Sequence, residues 1–187
     1  FILRQRLAQL SHEAQPRVMS ASCRAGSFYV TTEKDAFALN LGLMPNNPQA
    51  GIDAAIEVME KARRYGFTEA ELEHAKVQHT VNIEHRLDNK NKTRNAEYAK
   101  NIVSNFCGDE PCMNIEYEAA LEAEFSATVT LDDINNAIKE IVDDQNQVCI
   151  VFGPTQYDGK PYTMPSADQF KKWIENAQQQ EYTNENS

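Results

Sequence analysis

The sequence predicts an α+β fold, a small mainly antiparallel sheet covered on one face by several helices. Three observations carry the class. Two strand-like runs come early, with Phe37, Leu39, Leu41 and Leu43 alternating strictly. A succession of amphipathic helical patterns follows with no strand between them. One apolar run, Val148 to Phe152, then returns after the helices. Two or three strands against five or six helices make a small sheet for so much helix. This points to a fragment whose remaining strands lie upstream, although a small complete domain has the same pattern.

The elements follow in order. "FILRQRLAQL" places Phe1, Leu3, Leu7 and Leu10 at helical spacing with no N-cap, so the chain reads as starting inside a helix, cut from a longer polypeptide. "RVMSASCRAGSFYVTT" and "DAFALNLGLMP" read as an antiparallel hairpin joined through the polar "TTEKD", with Arg24, Gly26 and Ser27 marking a bulge or bend. Asn47 and Pro48 form an N-cap and first helical position ahead of the stripe Ile52, Ala55, Ile56, Met59 and Ala62, and Gly66 ends that helix with positive φ. Thr68 and Glu71 form a capping box for a helix carrying Leu72, Ala75, His79, Ile83 and Leu87, where His79 reads as a packed, hydrogen-bonded residue. Helices follow over 94–106, capped near Thr93, and over 114–126, where Tyr117, Leu121 and Phe125 step by four. Thr130 and Asp133 open the clearest helix, with Ile134, Ala137, Ile138, Ile141 and Val142 on its buried stripe. "NQVCIVFGP" is apolar on both faces and reads as a central or covered strand. "GPTQYDGKPYTMPS" has a linker composition, the helix "ADQFKKWIENAQQ" puts Phe170, Trp173 and Ile174 on one side, and "EYTNENS" reads as a loose end.

The chain has 187 residues, 41% apolar and 25% charged, with a net charge of -10. That is ordinary globular material, acidic and soluble in character. The charge argues against a surface that tracks nucleic-acid phosphates, and no apolar run approaches the roughly 18 residues of a membrane helix. The four cysteines, Cys23, Cys107, Cys112 and Cys149, are too scattered for a disulfide scaffold and read as free thiols, mostly buried. They leave the compartment open, with periplasm and cytoplasm both compatible.

Candidate chemistry centres on "HTVNIEHRL", whose Glu84 and His85 match the end of the inverted zinc signature His-x-x-Glu-His. In that signature two His four residues apart lie about 40° from each other around the helix and share one ion. Here Val81 stands where the first ligand is needed, His79 is about 120° away from His85, and His74 lies three turns down the helix. None of them can share a metal with His85 on this geometry. "SHEAQP" begins His-Glu but has Pro16 where a direct zinc motif needs its second His. No nucleophile elbow, phosphate loop or dinucleotide fingerprint occurs. The carboxylates Glu69, Glu71, Glu73, Glu116, Glu118, Glu122 and Glu124 have the spacing of solvated helix faces. Arg86, Lys90, Lys92 and Arg94 form a basic cluster that reads first as a solvated helix end and second as a contact for an acidic partner. No catalytic, metal-binding or substrate-binding residue is assigned.

The order of segments supplies what single motifs do not. Arg6 and Leu7 near the end of a helix, a hairpin with "GSFYV", Gly66 to Leu72 as "GFTEAEL", Thr130 to Ile134 as "TLDDI", and the closing Val148 to Gly153 resemble the insulinase/pitrilysin family of zinc metallopeptidases, which includes mitochondrial-processing-peptidase-like members. The resemblance covers residues 1–155 and corresponds to the second half of one of the family's repeated α/β domains, amino-terminal or non-zinc-bearing. Residues 156–187 then form a linker with a short helix leading toward the next domain.

The resemblance implies a parent enzyme that encloses peptides in a chamber and hydrolyses them with zinc-bound water, whose pKa the metal lowers to about 7. It places the family's zinc motif upstream of the matched segment. This stretch is therefore expected to hold no cofactor and to supply chamber wall, with zinc required by the parent. Its partners would be a peptide substrate, through the parent, and the remaining domains of the same polypeptide. The net charge suggests an acidic lining that favours basic peptides. A catalytically silent scaffold or interaction module, and a stand-alone α+β binding domain, are the competing readings.

Overall fold

The hairpin comes first because its pleat decides what the helices cover. In the computed structural model, which describes residues 1–27, 35–92, 94–108, 111, 113–142 and 146–184, β1 (Val18–Ser27) pairs antiparallel with β2 (Asp35–Leu43). Ala21 faces Leu41, Cys23 faces Leu39 and Ala25 faces Phe37, so these side chains share one face of the sheet. The register shifts between Val18 and Ser20. That extra residue, Met19, brings Val18 back to the same face as Ala21, where it is fully buried opposite Leu43, while Met19 is exposed. The irregularity is thus at Met19 and not at Arg24 to Ser27, where the ladder is regular, although Gly26 does carry a positive φ of 141°.

Two helices cover that face. Helix α1 (Ile2–Gln9) buries Ile2, Leu3 and Leu7, with Leu10 just beyond its end. Phe1, expected on this stripe, is exposed, because Ile2 occupies the inward position. Helix α2 (Pro48–Tyr65) starts at Asn47, whose side chain accepts from the Ala50 amide, and buries Ala54, Ala55 and Ala62 against the same core. Gly66 follows with φ +74°, and a Cβ there would lie 2.5 Å from Asn135 Oδ1, so both backbone and space require glycine. Asn135 Oδ1 accepts from the Phe67 amide at 2.7 Å, tying this corner to α6 (Leu131–Ile141), which contributes Ile138 and, just beyond it, Val142 to the core. Ala137 and Ile141, also expected on the buried stripe of α6, are exposed.

Helix α3 (Glu69–Asp88) is opened by the complete Thr68/Glu71 capping box and buries only Leu72 and Ile83. Helices α4 (Asn95–Gly108) and α5 (Ile115–Thr128) follow, and α5 packs beside α3. The run Val148 to Phe152, expected as a covered strand, belongs to neither of the sheets in the described residues, and Val148, Ile150 and Phe152 are 85%, 72% and 91% exposed. No described strand lies beside it, because β1 and β2 pair only with each other.

The linker holds an unexpected second hairpin, β3 (Gln156–Tyr157) with β4 (Lys160–Pro161). Asp158 and Gly159 turn it with φ of 51° and 71°, as a tight two-residue loop requires. Helix α7 (Ala167–Gln179) returns to α2, where Phe170 and Ala177 join Ile52 and Ile56 in a second apolar cluster. Cys107 and Cys149, expected to be mostly buried, are exposed, and Cys23 is half-buried. The connection over 31–34, the cap at Thr93, Cys112 and the last three residues lie outside the described residues. Among the described residues no helix is long and apolar enough to cross a membrane.

Candidate functional site

A groove of about 660 Å³ runs between α1, α2 and α3. Its wall is built on Arg6 and Glu71, which the fold brings together from positions 65 residues apart. Arg6 donates from Nε and Nη2 to the two Glu71 carboxylate oxygens, each at 2.6 Å, and its guanidinium lies 5.0 Å from the centre of the Phe67 ring. Glu71 also accepts from the Thr68 amide at 2.8 Å and the Thr68 hydroxyl at 3.0 Å. Burial pushes the Glu71 carboxyl up, but these donors outweigh it and hold it below the ordinary glutamate value.

The other charges along the groove are paired too. Arg17 binds Glu13 at 3.0 Å and Lys61 binds Glu57 at 2.9 Å. Three cations against three carboxylates leave the groove without the acidic excess expected from the net charge, and His74 completes its polar lining. Such a surface can seat a neutral polar segment. The bidentate Arg6–Glu71 pair serves a helix start.

The basic cluster expected as a solvated helix end has partners inside the chain. Arg86 donates to Glu118 at 3.2 Å and makes a short contact to Glu122, and Lys90 reaches Glu116 at 2.8 Å. This ionic seam joins α3 to α5. His79, expected to be packed, stands on the exposed flank of the seam with Nε2 3.6 Å from Glu122. Glu118 and Glu122 step by four along α5 and both meet Arg86 of α3, and that spacing was a readable signal.

Among the described residues no three His, Cys, Asp or Glu side chains converge on one point. His74 lies at the groove, His79 at the seam, and the His85 ring nitrogen is 3.2 Å from the Asn89 side-chain amide. Val81 is 51% exposed, where a His would face solvent.

Large apolar side chains cover a different surface. Ile102, Val103 and Phe106 on α4 are 61%, 59% and 88% exposed, and Tyr117 and Phe125 on α5 are 61% and 70% exposed. The step-by-four stripe of α5 exists as expected, but it faces outward.

No protein-family model matches the sequence, and no curated protein matches it. Solved structures do. The chain superposes on a predicted insulinase family protease from Yersinia pestis with a TM-score of 0.75 at 14% identity, over 95% of this chain and 37% of that one. The fold is that of the insulinase-type proteases. The periplasmic protease PqqL from Escherichia coli gives 0.73 at 13% identity, over 97% of this chain and 20% of that one. The ferredoxin protease FusC, solved in complex with Arabidopsis ferredoxin, gives 0.58 at 16% identity, over 97% and 20%. The chain therefore spans 20–37% of the length of these structures.

Proposed function

We propose that this chain is the part of a zinc metallopeptidase that carries no zinc motif, and that it supplies wall and packing surface to an enclosed peptide chamber. The observation that carries the reading is the superposition of almost the whole chain on proteases of the insulinase type. The 187 residues contain no His-x-x-Glu-His, so the metal and the water it activates would belong to other parts of a longer polypeptide. The exposed faces of α4 and α5 and the unpaired run Val148 to Phe152 are surfaces on which those parts would pack. Because the groove charges are balanced, any preference for basic peptides would have to come from other surfaces.

A second reading, a catalytically silent scaffold or interaction module, is favoured by the same exposed apolar faces. Metal analysis separates the two. The full-length product of the gene is expected to hold one zinc per chain, and the 187-residue chain alone none. A full-length product that takes up no zinc would favour the scaffold. One zinc held tightly by the 187-residue chain would overturn both assignments and make His74, His79 and His85 the residues to mutate.

A further inference from the structure

Helix α7 has no basic residue in its own last turn, and the carbonyls of that turn are satisfied by α2 and by the tail. Arg64 donates to Gln178 O at 2.6 Å and Gln180 O at 2.7 Å, and its guanidinium lies 5.5 Å from the centre of the Tyr182 ring. A third donor of Arg64, Nε, is fixed at 2.8 Å by Glu60, which is 3% exposed and the buried charge of the described core. Tyr65 donates its hydroxyl to Tyr182 O, and Tyr182 donates its own to Ala177 O at 2.7 Å. The end of the chain, read from sequence as loose, is pinned as far as Tyr182.

We propose that α7 and its tail form a releasable strap, latched by Arg64 and Tyr65, that borders the α1–α2–α3 groove when seated. Three features support release as a unit. The seat is small: it buries Phe170 and Ala177 of α7 and half-buries Trp173 and Ile174. The tether is exposed at every residue from Phe152 to Pro161, so α7 can leave without drawing on the main core. Asn184, two residues past the latch, lines the groove, so undocking the strap removes one edge of it. Arg64 acts here as a positioning residue. Glu60 holds its guanidinium aimed at the two carbonyls, as a fixed fork at a helix C-terminus.

The single tryptophan, Trp173, lies on the strap with its ring 5.3 Å from that of Phe170, and it reports directly on the seat. In Arg64→Ala, hydrogen exchange of the α7 amides should rise about tenfold or more while those of α1, β1 and α2 stay within about twofold, and acrylamide quenching of Trp173 should increase. Arg86→Ala is the control, because Arg86 pairs with Glu118 and Glu122 of α5, so its loss removes an ion-pairing arginine from a different part of the fold. Unchanged α7 exchange, a rise shared equally by the whole chain, or an equal effect of Arg86→Ala would overturn the strap. If Arg64→Ala does not fold, Tyr65→Phe should show the same local increase to a smaller degree, and no increase there would overturn it as well. The strap stands on this chain's own contacts, so its failure leaves the peptidase reading untouched, and the reverse.

Discussion

Glu71 concentrates several jobs in one side chain: it completes the α3 capping box, receives Arg6 in a bidentate pair and forms part of the groove wall. Its carboxyl is held below the ordinary value of 4.5, so it contributes stability that is present above that pH and is lost as pH falls through the lower folded value. Glu71→Gln should therefore destabilise by about 1 kcal/mol at neutral pH. In urea unfolding at a series of pH values, the gap between wild type and variant should close progressively below pH 4.5. A gap independent of pH down to complete protonation would contradict the assignment. The capping box itself was legible, since Thr68 and Glu71 sit at the required spacing. Arg6 as the partner was not, because a pair 65 residues apart exists only after α1 has packed on α2 and α3.

Elements whose cores are local were readable, and those that depend on distant surfaces were not. The caps at Asn47, Thr68 and Thr130, the stop at Gly66 and the apolar side of α7 follow from nearest neighbours along the helix. Amphipathic spacing predicts that a face is apolar, but not that anything in this chain covers it, and so α5 and the run Val148 to Phe152 turned outward. The β3–β4 hairpin was hidden by a linker-like composition although Asp158-Gly159 is a strong turn signal. His79 was misplaced because its helix buries only Leu72 and Ile83, a narrower stripe than the sequence suggests. Phe106 and Phe125 test the exposure directly. Replacing either with Ser in the 187-residue chain should change unfolding free energy by less than about 0.5 kcal/mol and reduce binding of an apolar dye. A loss of about 3 kcal/mol or more, the usual cost of truncating a buried Phe, would show that the face is already packed.

For the molecule as a whole, the α+β class and the likeness to insulinase-type proteases were visible in the order of weak motifs, whereas the groove, the seam and the strap emerge only in three dimensions. The shared fold covers nearly all of this chain but 20–37% of the solved proteins, and the proposal of a larger parent protein rests on that ratio. The central claim, that this part belongs to a zinc peptidase, is tested most directly by assaying the full-length product of the gene on quenched fluorescent peptides before chelation, after chelation and after zinc is restored. The account predicts cleavage that chelation abolishes and zinc returns. Absence of cleavage in all three states, from a folded and zinc-supplied protein, would contradict it.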